Sequence, residues 1–89
     1  MRQAPMAAPA SPKVLSDDGS GEHHYAIQAV GVQGHRSPLS QPVRAGGLAK
    51  LRWDSVVGAD AYVVVRDSKE ITGPIRIEGA NKEWTDKKN

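Results

Sequence analysis

Eighty-nine residues allow one domain, and an unstructured end leaves fewer than about 80 for packing, a size at which a single core is marginal. The longest apolar run, residues 61–65, falls far short of the roughly 20 residues that cross a bilayer, so no membrane insertion is expected. Cysteine is absent, which excludes disulfides and thiolate metal sites, and a net charge of +2 with both signs interspersed is too thin a basic excess for a nucleic-acid partner.

Residues 1–13, opening MRQAPMAAPASP, are rich in Ala and Pro without apolar periodicity and read as a flexible or polyproline-like arm with no fixed structure. The arm lacks the continuous apolar segment of a secretory signal peptide, which favours an intracellular setting over export. Val14 and Leu15 form a brief apolar pair that can dock as an edge strand before SDDGSGE, a run of turn formers. From His23 the chain alternates: Tyr25, Ile27 and Ala29 fall on one face and His24, Ala26 and Gln28 on the other, the period of a half-buried strand. GVQGHRSP then turns the chain, and residues 39–43 form a return strand that Pro38 and Pro42 confine to a sheet edge.

After the loop RAGG, Ala49, Leu51 and Trp53 alternate with Lys50 and Arg52 in a third strand. DSVVGAD is a loop, and AYVVVRD, dense in β-branched and aromatic residues, is a central strand. Its second face, Ala61, Val63 and Val65, is also apolar, and an outward-facing stripe of this kind is one that a monomer usually covers. SKEITGP turns, IRIE alternates, GAN makes a tight turn, KEWTD ends the pattern, and KKN is expected to fray. No window carries the capped 3.6-residue period of a helix, so the fold class is all-β, with about six short strands spread over residues 14–89.

Three segments resemble fibronectin type III domains. LRWDSVVGADAYVVVRDS is similar to the second and third strands of that family, EWTD to the end of the fifth, and YAIQAVGVQGHRSPLSQPV to the sixth and seventh. The resemblance covers residues 21–86 and implies a small fibronectin type III-like, immunoglobulin-like β-sandwich with Tyr25, Ile27, Ala29, Leu51, Trp53, Tyr62, Val64 and Trp84 in its core. The order departs from the family, because the segments resembling the last two strands come first. Circular permutation accounts for this, as does a chain holding half of each of two tandem domains. Permutation is favoured because a short link near PVRAGG can hop between sheets that stack only about 10 Å apart. It requires residues 25–29 to pair with residues 62–64, within one chain or, in a domain-swapped assembly, between two. The family's corner tyrosine falls on His23, with Tyr25 two places further on, and its first strand is missing, leaving an edge open to Val14 and Leu15 or to a partner.

No constellation specifies a reaction. His23 and His24 are adjacent in a strand and point to opposite faces, so they do not share a metal there. Asp17, Asp18 and Glu22 lack the spacing of a calcium loop, no G-x-S-x-G elbow orders a nucleophile, and GSGE and AGGLAK lack the phosphate-loop pattern. No catalytic, cofactor or metal site is expected. The candidates for partner contact are His35 and Arg36, in the most exposed polar loop, with Val63 and Val65 on the second apolar face. The expected role is a non-catalytic structural or adhesive module that binds a protein partner or a second copy. Since similar domains occur on tailed-phage virions and in bacterial surface proteins, the resemblance implies a virion-associated or surface component. The alternative is a carbohydrate-binding accessory module using Trp84 or the loop of His35 and Arg36.

Overall fold

The alternation that begins at His23 becomes the longest strand of the structure, a computed structural model that describes residues 6–77 and 81–86. Among these residues there is no helix, and the strands in chain order are β1 (Lys13–Ser16), β2 (His23–Gly31), β3 (Val43–Ala45), β4 (Lys50–Asp54), β5 (Ala59–Arg66), β6 (Lys69–Glu70) and β7 (Asn81–Thr85). They form two antiparallel sheets, one of order β1-β4-β7 and one of order β3-β2-β5-β6. The expectations for residues 1–5, for the turn at residues 79–80 and for the end at residues 87–89 lie outside the described residues.

Strands β2 and β5 pair along almost their whole length, with Ile27 opposite Val64 and Ala29 opposite Tyr62. The contact between residues 25–29 and 62–64 is thus made within one chain. One face of this pair turns Tyr25, Ile27, Ala29, Tyr62 and Val64 inward, where Leu51 and Trp53 from β4 meet them across the sandwich. Tyr25, Ile27 and Leu51 are fully buried, Trp53 packs edge-on to Tyr62 with ring centroids 5.6 Å apart, and Trp84 is half-buried against the same cluster. The chain passes from the outer strand β3 of one sheet to β4 of the other through residues 46–49.

A buried polar cluster ties the sheets together where β7 ends. The Tyr25 hydroxyl donates to Asp86 Oδ2 at 2.7 Å, Arg66 Nη1 donates to the same oxygen at 2.5 Å, and the Asp86 amide donates to Ala49 O at 2.8 Å. Tyr25 and Arg66 face each other on β2 and β5, whereas Asp86 and Ala49 flank the three-stranded sheet. Burial, helped by the bond to Asp86, pushes the Tyr25 phenol up to about 12, because both disfavour the charged form.

Three local expectations differ from the structure, and a fourth, the edge strand at Val14 and Leu15, is met. The return strand starts later, at Val43, because Pro38 and Pro42 carry no amide hydrogen and break the ladder beside β2. Serine hydroxyls take over there: Ser37 Oγ accepts from Ala29 N at 3.0 Å and Ser40 Oγ from Ile27 N at 2.9 Å, while the two serine amides donate back to the same residues' carbonyls. Of IRIE, the described residues 75–77 make a single bridge, Ile75 to Tyr62, rather than a strand. The pair Val14 and Leu15 does fill the edge beside β4, with Val14 opposite Leu51 and a bulge that leaves Leu15 exposed. The arm is docked from Met6 onward, with Met6 packed in the main core and Pro9 and Pro12 buried.

The second apolar face is covered by the chain itself. Ala26, Val30, Ala61, Val63 and Val65 form their own cluster on the outer side of the β2–β5 pair, with Val63 0 % and Val65 7 % exposed. The Arg36 guanidinium bonds Gln28 Oε1 at 3.2 Å on β2 and Glu70 Oε2 at 2.6 Å on β6, so the side chain lies across β5, where Val63 stands opposite Gln28. Its aliphatic stem covers apolar surface while its head stays in water. Val63 and Val65 are therefore not an open stripe.

Candidate functional site at the loop pole

At one pole of the sandwich, the turn after β2, the loop between β4 and β5, and the docked arm converge on a cleft of about 610 Å³. Its walls are residues 6–10 of the arm, residues 54–58, and His35.

Each wall is held by local chemistry. The turn after β2 is closed by Gly34 N donating to Gly31 O at 2.9 Å and Gly31 N donating to His35 O at 2.8 Å, with Gly34 in the left-handed region at φ 90°. The His35 ring lies directly over Gly31, where a Cβ would collide with it, so the glycine sets the ring's position. In the second loop the Val56 amide donates to the Tyr62 hydroxyl at 2.8 Å, which fixes Val56 half-buried against the core and turns its neighbour out. That neighbour, Val57, is 96 % exposed, and Val32 at the tip of the other turn is 81 % exposed. Two β-branched apolar side chains thus stand in water on adjoining loops, beside a cleft whose third wall is largely Ala and Pro.

Of the four residues expected at a partner surface, His35 alone lines this cleft. Arg36 folds back across β5 to Glu70, and Val63 and Val65 are buried on that outer face. Sequence reading missed Val32 and Val57, although both carry a signal, an apolar β-branched residue one or two places before a glycine inside a turn.

The other polar groups are mainly structural. His23 and His24 do point apart: the His23 ring stands edge-on to Tyr25, while His24 borders a shallow groove over Ala26 and Val65 with Leu39 and Pro42. Asp67 accepts from the His24 amide at 2.9 Å and sits 2.6 Å from His23 Nδ1. The bond to the His23 ring, then that from the His24 amide, hold its carboxyl below the usual range. Asp18 is likewise held low, chiefly by the Ser20 amide it accepts from. Among the described residues no group of three or more His, Cys, Asp or Glu side chains is placed to hold a metal ion.

No family model matches this chain, and neither the curated proteins nor the solved structures include a match to it.

Proposed function

We propose that this chain is a non-catalytic β-sandwich module that holds a protein partner at its loop pole, within a larger assembly such as a virion or a bacterial surface structure. The observation that carries the reading is the pair Val32 and Val57, almost wholly exposed on adjoining loops beside the cleft. Apolar side chains at loop tips gain nothing from the fold they belong to; buried against a partner, each contributes about 1.5–3 kcal/mol.

The fibronectin type III resemblance supports a module of this kind. In the related immunoglobulin sandwich the strands in sequence are A to G, with A, B and E in one sheet and C, F and G in the other. By sheet position β1, β4 and β7 take the places of A, B and E, and β5, β2 and β3 those of C, F and G. With β2 and β3 placed ahead of β4 in the chain, this supports circular permutation over halves of two tandem domains, since both sheets close within one chain.

The carbohydrate alternative draws less support, because Tyr25, Trp53 and Tyr62 are buried and Trp84 packs against the core, leaving no wholly exposed Trp or Tyr ring among the described residues for a sugar to stack on. A photo-reactive residue at position 57 tests the reading. It should cross-link one protein from the native source, and Val32→Ser should abolish the adduct, whereas the same probe at exposed Lys69 should produce none. Adducts indifferent to Val32→Ser, or glycan-array binding that survives loss of both valines, would refute it.

A further inference from the structure

The arm and β1 lie along one edge of the three-stranded sheet. Among the strands β1 pairs only with β4, and of its four side chains Val14 alone is half-buried. Met6, Pro9 and Pro12 supply the rest of the hold by filling apolar seats at the pole and along the edge. The seats are specific: a flexible thioether in the core, two prolines three apart where no backbone donor is required, then a valine facing Leu51.

Residues 17–22 connect this segment to β2. The segment that would act as the hinge contains no apolar side chain larger than glycine's, all but Gly21 are exposed, and Gly19 and Gly21 adopt φ of 82° and 64°, which glycine takes without strain. Fully extended, six residues reach about 20 Å. The hinge is pinned only by polar contacts: Gly46 N to Asp17 Oδ2 at 2.8 Å, Asp18 N to Gly47 O at 3.0 Å and Arg44 Nε to Gly21 O at 2.6 Å.

We propose that residues 6–16 are an exchangeable arm: in an assembly of this chain the arm of one copy lies on β4 of the next, in the seat its own arm fills in the single chain. The occupant is a second copy because an arm of this same sequence already fills the seat in the single chain, with Met6 in the core and Val14 opposite Leu51. The contacts in cis and in trans are the same, so concentration and hinge geometry set the balance, and no new interface is required. Residues 6–10 also wall the cleft at the pole, so each copy's docking site would be completed by its neighbour. The inference stands whether or not that pole takes a further partner.

Lys13 and Arg52 sit opposite each other across the β1–β4 ladder with neither side chain in the core, and the chain has no cysteine of its own. Antiparallel partners at about 4.5–5.5 Å between Cα atoms are within disulfide reach. Lys13→Cys and Arg52→Cys chains, mixed in equal amounts at high concentration and oxidised gently, should form the mixed 13–52 cross-link at least about tenfold more often than either symmetric one. Random collision yields it only about twice as often. The doubly substituted chain, oxidised at low concentration, locks its arm in cis and should stay monomeric by light scattering where the wild type associates. A random cross-link ratio, or a locked chain that associates as readily as the wild type, overturns the proposal.

Discussion

Replacing Asp86 with alanine removes the acceptor on which two strands of the facing sheet converge. The Arg66 side chain is 17 % exposed and that of Asp86 4 %, so the ion pair is largely desolvated rather than screened at the surface. Removing one partner of such a pair leaves an uncompensated charge and costs about 3–5 kcal/mol. The Tyr25 hydroxyl loses its partner as well, a neutral bond worth about 1 kcal/mol that overlaps with the first loss because both donors share Asp86 Oδ2. For a domain of this size each kcal/mol lowers Tm by about 4–8 °C, so Asp86→Ala should lower it by at least about 12 °C in a thermal melt followed by circular dichroism. Tyr25→Phe should cost about 1 kcal/mol alone and much less in the Asp86→Ala background, because the bond it removes is already gone. Exchanging both charges for apolar groups, Arg66→Met with Asp86→Leu, should destabilise less than Asp86→Ala alone, since no orphaned guanidinium remains. A loss below about 1 kcal/mol for Asp86→Ala would refute the reasoning, as would strict additivity with Tyr25→Phe, for it would mean the cluster is hydrated and does not join the sheets.

Trp53→Ala should cost about 3–5 kcal/mol in chemical denaturation and leaves little margin for folding, because the ring is buried between Tyr62 and the core; a loss below about 1 kcal/mol would place the ring in water instead. Ser68→Gly should stabilise by about 1 kcal/mol, since the two-residue turn between β5 and β6 holds Asp67 at φ 52° and Ser68 at φ 68°, where a side chain is strained and glycine is not; an unchanged or lower denaturation midpoint would contradict this. Stability should decline between about pH 10 and 12, because the folded state holds the Tyr25 proton more tightly than the unfolded chain does. The loss approaches about 2–3 kcal/mol at the upper end, and Tyr25→Phe should remove that slope from the stability profile.

The inner face of the sandwich was legible because period-2 alternation is local. Tyr25, Ile27 and Ala29, Leu51 and Trp53, Tyr62 and Val64 each declare an inward face within one strand, and the structure places all of them in one core. The resemblance of dispersed segments to one family also led to the contact between β2 and β5, which chain order alone does not show. Other features depend on which distant residues the fold brings together. Val63 and Val65 look like an open stripe in sequence, but Arg36 reaches Glu70, 34 residues away, and covers it. Met6 stands in a stretch with no periodicity and is buried only because the pole offers a seat. Asp86 is one acidic residue at the end of a strand until Tyr25, 61 residues earlier, meets it across the sandwich. Local sequence therefore determined the strands and their inward faces, since each residue's side follows from its neighbours along the chain. Tertiary structure decided what covers the outer face, where the arm docks and which loops stand exposed at one pole, since these rest on contacts between segments that no local pattern encodes.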